Sequence, residues 1–258
     1  MTDSVKADKA KSIRVIRHAQ SAANAGLPTV SPDSIPLTEL GRSLAQILAN
    51  HIASPPDLII SSPFERAIHT ALPLANRYPQ VPLDIWAIEE FTYLSSSRLV
   101  GTTQAERKPR VDAYWHEGDQ AAIDGPGAES FIELSKRAKV MLNRLATSTA
   151  NSILVFSHGE DAGTPEKMRL FRELDTKDPL PNCAGYDLEL RDGRWKVLHL
   201  VGQDSEVKFI DECCTDHRMA PIPPGVMTRE RREILNGIRS AKDDFTEWFL
   251  LPGGEPVA

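Results

Sequence analysis

The sequence predicts a three-layer α/β/α sandwich with a mostly parallel central sheet. Three observations carry that expectation. Short runs rich in Ile, Val and Leu recur along the chain. Segments with a helical apolar period lie between them, so strands and helices alternate. The runs are near-continuous and do not alternate with polar residues, as in parallel strands covered on both faces.

The elements follow in order. Residues 1–11 are charged and polar, which predicts a flexible tail. Strands are expected at 13–16, 58–60, 83–88 and 153–156. Residues 38–52 place Leu40, Leu44, Ile47, Leu48 and Ile52 on one helical stripe, and 129–146 do the same with Phe131, Leu134, Ala138, Met141 and Leu145. "SPFE" at 62–65 reads as a capping box, with Ser62 as N-cap, Pro63 at the first helical position and Glu65 at the third. Pro73 should kink or end that helix. Residues 186–200 read as a hairpin turning at Asp192-Gly193. These elements define a domain over 12–203, within which 95–127 has the look of an insertion or lid. Residues 204–258 form a C-terminal extension. Its "APIPPG" stretch (220–225) is a linker, and an amphipathic helix over 228–248 offers Ile234, Leu235, Ile238 and Phe245 for packing on the core.

Bulk properties exclude several classes. Net charge is −6 with the two signs intermixed, so no broad basic face exists to grip nucleic acid. Three cysteines, two of them adjacent (Cys213, Cys214), make no disulfide framework and point to a reducing, cytoplasmic setting. The first residues lack the apolar core of a secretory signal, and no apolar run approaches the roughly 20 residues of a membrane span. "CCTDH" at 213–217 lacks the usual spacing of a zinc site and an evident fourth ligand.

Chemistry gathers where the apolar runs stop. Arg17 and His18 follow the first, "SSPFER" the second, "EEF" the third, and Ser157-His158 the fourth. Ligands in open α/β sheets bind outside the carboxyl ends of the strands, so these groups should share one rim. Arg66 falls in the first turn of a helix, where backbone N–H groups already favour an anion. Two arginines, two histidines and a helix N-terminus make an anion pocket in an acidic protein.

The stretches "RHAQSAAN" (17–24), "PLTELG" (36–41), "SSPFERAIHTA" (61–71), "GAES" (127–130), "SHG" (157–159) and "PNCAGYDLEL" (181–190) together resemble the histidine phosphatase superfamily, in the branch that contains the cofactor-dependent phosphoglycerate mutases. The resemblance spans roughly residues 12–200 and implies a phosphoglycerate mutase-like fold. It implies that His18 is the nucleophile that becomes phosphohistidine, and that Arg17, Arg66 and His158 clamp the phosphoryl oxygens with support from Asn24. It further implies an acid at Glu90, with Glu89 as the alternative. The cationic clamp would take the place of a metal, so no metal or other cofactor is expected. Ala19 stands where the family has glycine, and "FTYLSSSRLVG" after Glu90 departs from the family pattern, so the substrate wall should be this chain's own.

The physical requirements agree. Phosphoryl transfer needs positioning and stabilised charge on three equatorial oxygens, which planar guanidinium groups supply. A neutral imidazole is a competent nucleophile, and a covalent intermediate divides one hard step into two. The expected activity is therefore metal-independent hydrolysis of a phosphomonoester, either a small molecule or a phosphoprotein. A mutase-type phosphotransferase is the alternative, and a non-catalytic phospho-ligand binding module a further one.

Overall fold

The computed structural model describes residues 10–159, 182–191 and 194–201. Most of the expected tail, the Asp192-Gly193 turn and the whole C-terminal extension lie outside these residues. The first strand, β1 (Lys11–Arg17), takes in Lys11, the last residue assigned to that tail.

Among the described residues, six strands form one sheet. The remaining five are β2 (Leu58–Ser61), β3 (Leu83–Ile85), β4 (Ser152–Ser157), β5 (Gly185–Arg191) and β6 (Arg194–Val201). Their order across the sheet is β3-β2-β4-β1-β5-β6. β1 through β4 are mutually parallel, with Ile13 opposite Ile153 and Arg17 opposite Ser157. β5 runs antiparallel to β1 and pairs with β6 as the expected hairpin. A bidentate bridge from Arg14 to Asp187 (2.7 and 2.9 Å) ties β1 to β5.

Four helices, α1 (Glu39–His51), α2 (Glu65–Arg77), α3 (Gln104–Glu117) and α4 (Phe131–Thr147), complete the described elements together with two short 3-10 turns. Successive strand residues point to opposite faces, and both faces are covered. Ile16, Ile59, Leu154 and Phe156 pack with Ala49 of α1 and Ala71, Leu74 and Ala75 of α2. Ile13, Ile60, Ile153 and Val155 pack on the other side with Trp86, Ile88 and Leu145 of α4. This is why the runs read as continuous: apolar residues on either face have a layer to meet.

Several local expectations are corrected. α2 begins at Glu65 with Phe64 as its N-cap, so Ser62 is no cap. Its hydroxyl instead accepts the Phe64 N–H (3.3 Å), a turn that competes with capping. True capping boxes stand at Ser130/Glu133 and Thr103/Glu106. Pro73 lies inside α2 without ending it, because the helix is held by its buried alanine and leucine face and not by its own ladder alone. The third strand stops at Ile85, after which Trp86 N–H still bonds Ser61 O (3.0 Å). Leu40, placed on the α1 stripe, is 40% exposed, and the buried line is Gly41, Leu44, Ala45 and Ala49.

One close approach fixes where the strand β1 loop goes. The start of α1 presses so near Gln20 that a Cβ on Gly41 would lie 2.0 Å from Gln20 O. Thr38 caps α1 through Gly41 N–H (3.0 Å) and donates to the Gln20 side chain (2.7 Å).

Candidate active site

The site starts at the carboxyl ends of β1 and β4. His18 N–H bonds Ser157 O (2.9 Å) and Arg17 N–H bonds Ala184 O (2.8 Å), so the sheet ladder runs right up to the histidine. Buried groups then hold the loop. Ala19 N–H donates to Thr70 Oγ1 (2.9 Å), and Asn182 Nδ2 donates to His18 O (2.9 Å).

The imidazole of His18 is 2% exposed. Its Nδ1 lies 2.7 Å from Ala19 O, and a carbonyl only accepts, so Nδ1 carries the proton. Its Nε2 takes an N–H from Arg66 Nε at 3.1 Å, which requires a lone pair there. Both contacts assign the same tautomer. Burial, followed by the positive charge of Arg66 and then of Arg17, lowers the His18 pKa to about 3. The ring is neutral at ordinary pH, with its reactive lone pair facing a guanidinium.

His158 stands beside it, the ring centroids 5.3 Å apart. Its Nε2 lies 2.7 Å from Ser62 Oγ, and Nδ1 lies 3.9 Å from a carboxylate oxygen of Glu90. Burial above all, and then Arg66, holds its pKa well below the ordinary histidine value.

Arg66 is the hub. Besides His18 it reaches Pro32 O (2.6 Å) and forms an ion pair with Glu90, while its guanidinium stacks over Phe64 at 4.8 Å. Of the two adjacent glutamates, Glu90 therefore joins the cluster. Glu89 pairs with Arg137 of α4 instead (3.4 Å). Arg17 passes Gly159 so closely that a Cβ there would lie 2.6 Å from its Cδ. The glycine of "SHG" thus leaves room for the arginine stem. Asn24 is placed differently from the others: its Oδ1 accepts from Ser21 N–H (3.1 Å), Ser21 Oγ (3.0 Å) and Asn182 Nδ2 (3.2 Å), inside the loop.

Ligand atoms of His18, Glu90 and His158 lie within 4.8 Å of one another, close enough to hold a metal ion. Arg66, however, donates to His18 Nε2 and pairs with Glu90, and those are the lone pairs a cation would use. From Arg66 and Glu90 a cavity of about 540 Å³ opens toward α3. The arrangement joins an unprotonated imidazole nitrogen to a buried guanidinium and a carboxylate that both line a pocket, which is a site for handling a tetrahedral oxyanion.

Residues 13–202 match the family model of the histidine phosphatase superfamily (branch 1). The chain belongs to that superfamily. Solved structures share the fold. A mycobacterial glucosyl-3-phosphoglycerate phosphatase superposes with a TM-score of 0.56 at 21% identity, over 73% of this chain and 97% of that one. A putative alpha-ribazole-5'-P phosphatase from Escherichia coli gives 0.58 at 21% identity, over 74% and 96%. A phosphoserine phosphatase from Entamoeba histolytica, in complex with 3-phosphoglyceric acid, gives 0.57 at 22% identity, over 75% and 98%. No curated protein matches the chain in sequence.

In this histidine phosphatase the structure adds residues that sequence reasoning did not assign. Thr70 and Asn182 lie within stretches that carry the resemblance, and the signal was present without a role. Ser62 has the form of a helix cap in the sequence, whereas its hydroxyl meets His158. Arg137 had no motif around it; it donates to Glu89 O (3.3 Å) and bridges to Glu129, fixing the segment that carries Glu90 onto α4.

Proposed function

We propose that this phosphatase hydrolyses phosphomonoesters without a metal, through a phosphohistidine on His18. One observation carries the proposal: His18 presents an unprotonated Nε2 directly against Arg66. The His18 Nε2 lone pair attacks phosphorus, and the bond from phosphorus to the ester oxygen breaks. The leaving oxygen takes a proton from the Glu90 carboxyl. Water then attacks the phosphohistidine and gives a proton back to the Glu90 carboxylate, and the phosphorus–nitrogen bond breaks with its electron pair returning to Nε2.

Arg17, Arg66 and His158 surround the transferring group, and a phosphoryl oxygen takes the place of Glu90 on the Arg66 guanidinium. Asn24 supports this from behind, through the loop that carries His18. Binding the developing charge with preorganised donors is the main source of acceleration in such a reaction.

The test is phosphate release from an aryl phosphate with EDTA present, comparing wild type with His18→Ala. Release that persists in EDTA and disappears in the variant is expected, together with an acid-labile, base-stable phosphoenzyme in wild type. A metal requirement, or full activity in the variant, overturns the proposal.

A further inference from the structure

The cavity beyond Arg66 and Glu90 has walls that are mostly apolar. Ile35, Phe91, Tyr93, Leu94, Leu99 and Val111 line it. Phe91 and Tyr93 belong to a larger aromatic group with Tyr114 and Trp115, ring centroids 4.9 to 6.3 Å apart, so that side of the pocket is an aromatic surface braced from behind. Val30, also on the wall, is 71% exposed, which carries the apolar character out to the solvent.

Two further cations, Arg107 and Lys108, line the cavity beyond Arg66 among the described residues. Arg107 donates to Thr102 Oγ1 (2.8 Å) and Thr102 O (2.6 Å), and also to Thr29 Oγ1. Through Nε and one Nη it is a staple between α3 and two loops, and every one of these partners is a neutral oxygen. Lys108 holds both oxygens of Asp112 at 2.8 Å, and Asp112 itself lines the cavity. A second anionic group on a substrate would gain nothing from the apolar wall and would approach the carboxylates of Glu90 and Asp112. An uncharged ring would bury apolar area against Phe91, Tyr93 and Leu94.

We infer that this pocket selects phosphomonoesters whose leaving group is apolar or aromatic over esters whose leaving group is small and charged. The inference rests on the proposed site but reads a different part of it. The phosphate end decides whether hydrolysis happens, and the wall decides what is attached.

Two measurements on the full chain separate the two. The first is kcat/KM for 1-naphthyl phosphate against 3-phosphoglycerate, expected to favour the naphthyl ester about 100-fold, the scale on which apolar pockets discriminate. The second is calorimetric binding of 1-naphthylmethylphosphonate against 2-carboxyethylphosphonate, which needs no turnover and should show the same preference. Val111→Arg, which replaces part of the apolar wall with a cation, should narrow both ratios at least tenfold. Tighter or equal binding of the carboxylate analogue overturns the inference, whatever the turnover. Preferential binding of the naphthyl analogue without hydrolysis of either ester upholds it and overturns the phosphohistidine reading.

Discussion

His18 and His158 are both held neutral by burial and by the arginines around them, and the consequence extends beyond catalysis. A histidine whose folded pKa lies below its unfolded value is protonated first in the unfolded chain. The unfolded state then binds more protons, and stability falls as pH falls. The stability tied to His18 is fully present above about pH 6.5, the ordinary histidine value, and is lost progressively toward about pH 3. Chemical denaturation at stepped pH should show this slope, and His18→Gln should flatten it. The same burial predicts that the His18 ring resonances stay flat between pH 7 and 5 in an NMR titration. A midpoint near 6.5 would contradict the neutral, preorganised nucleophile.

The adjacent glutamates make a second comparison between single residues. Glu90 faces Arg66 and His158, whereas Glu89 is held by Arg137. Glu90→Gln keeps the shape but removes the proton donor and acceptor, and should lower kcat by about 10²- to 10⁴-fold, the ordinary scale of general acid–base catalysis. Glu89→Gln should leave kcat within a few-fold. Equal losses would mean that the two side chains exchange places in the working enzyme.

Elements explain why these residues were partly legible in sequence. A parallel strand buried on both faces must end its apolar run at the rim, so Arg17-His18 and Ser157-His158 announce themselves as polar groups at the ends of β1 and β4. Arg66 is legible because the first turn of α2 follows β2 directly. What the sequence could not convey is which neighbour completes each group. Ser62 has the form of an N-cap, but its hydroxyl lies against His158 across 96 positions of chain. The role of Thr70 depends on α2 facing the β1 loop, a tertiary fact. Leu40 fits a stripe by period, and its exposure follows from where the layer ends.

Gly159 shows how one element limits another. The end of β4 and the stem of Arg17 at the end of β1 pass so closely that any side chain intrudes. Gly159→Ala should move the Arg17 guanidinium by a fraction of an ångström or more while disturbing no core contact. Misplacement of that order in a positioning group predicts about a 10²-fold loss of kcat/KM with nearly unchanged melting temperature. A variant that melts much earlier, or one of full activity, would show that Arg17 does not depend on this clearance.

Across the described molecule, chemistry sits at the carboxyl rim of the parallel strands, and the core runs from that rim to their opposite ends. The rim at the carboxyl ends holds His18, Arg66 and His158. At the other end, Lys11 and Ser152 open β1 and β4, and Leu145 near the end of α4 is fully buried against Ile13 and Ile153. Because the four parallel strands are short, apolar and clamped between helical layers, a defect at one end weakens the fold without re-aiming the groups at the other. Leu145→Ala should therefore cost about 2–5 kcal/mol of stability, the range for emptying a buried leucine site. Its kcat, measured well below the lowered melting temperature, should match wild type. Glu90→Gln should do the reverse, with turnover lost and melting little changed. If Leu145→Ala instead lowered kcat at temperatures where it is fully folded, packing at the far end would have to set the geometry of the rim, and the two ends could no longer be treated as independent.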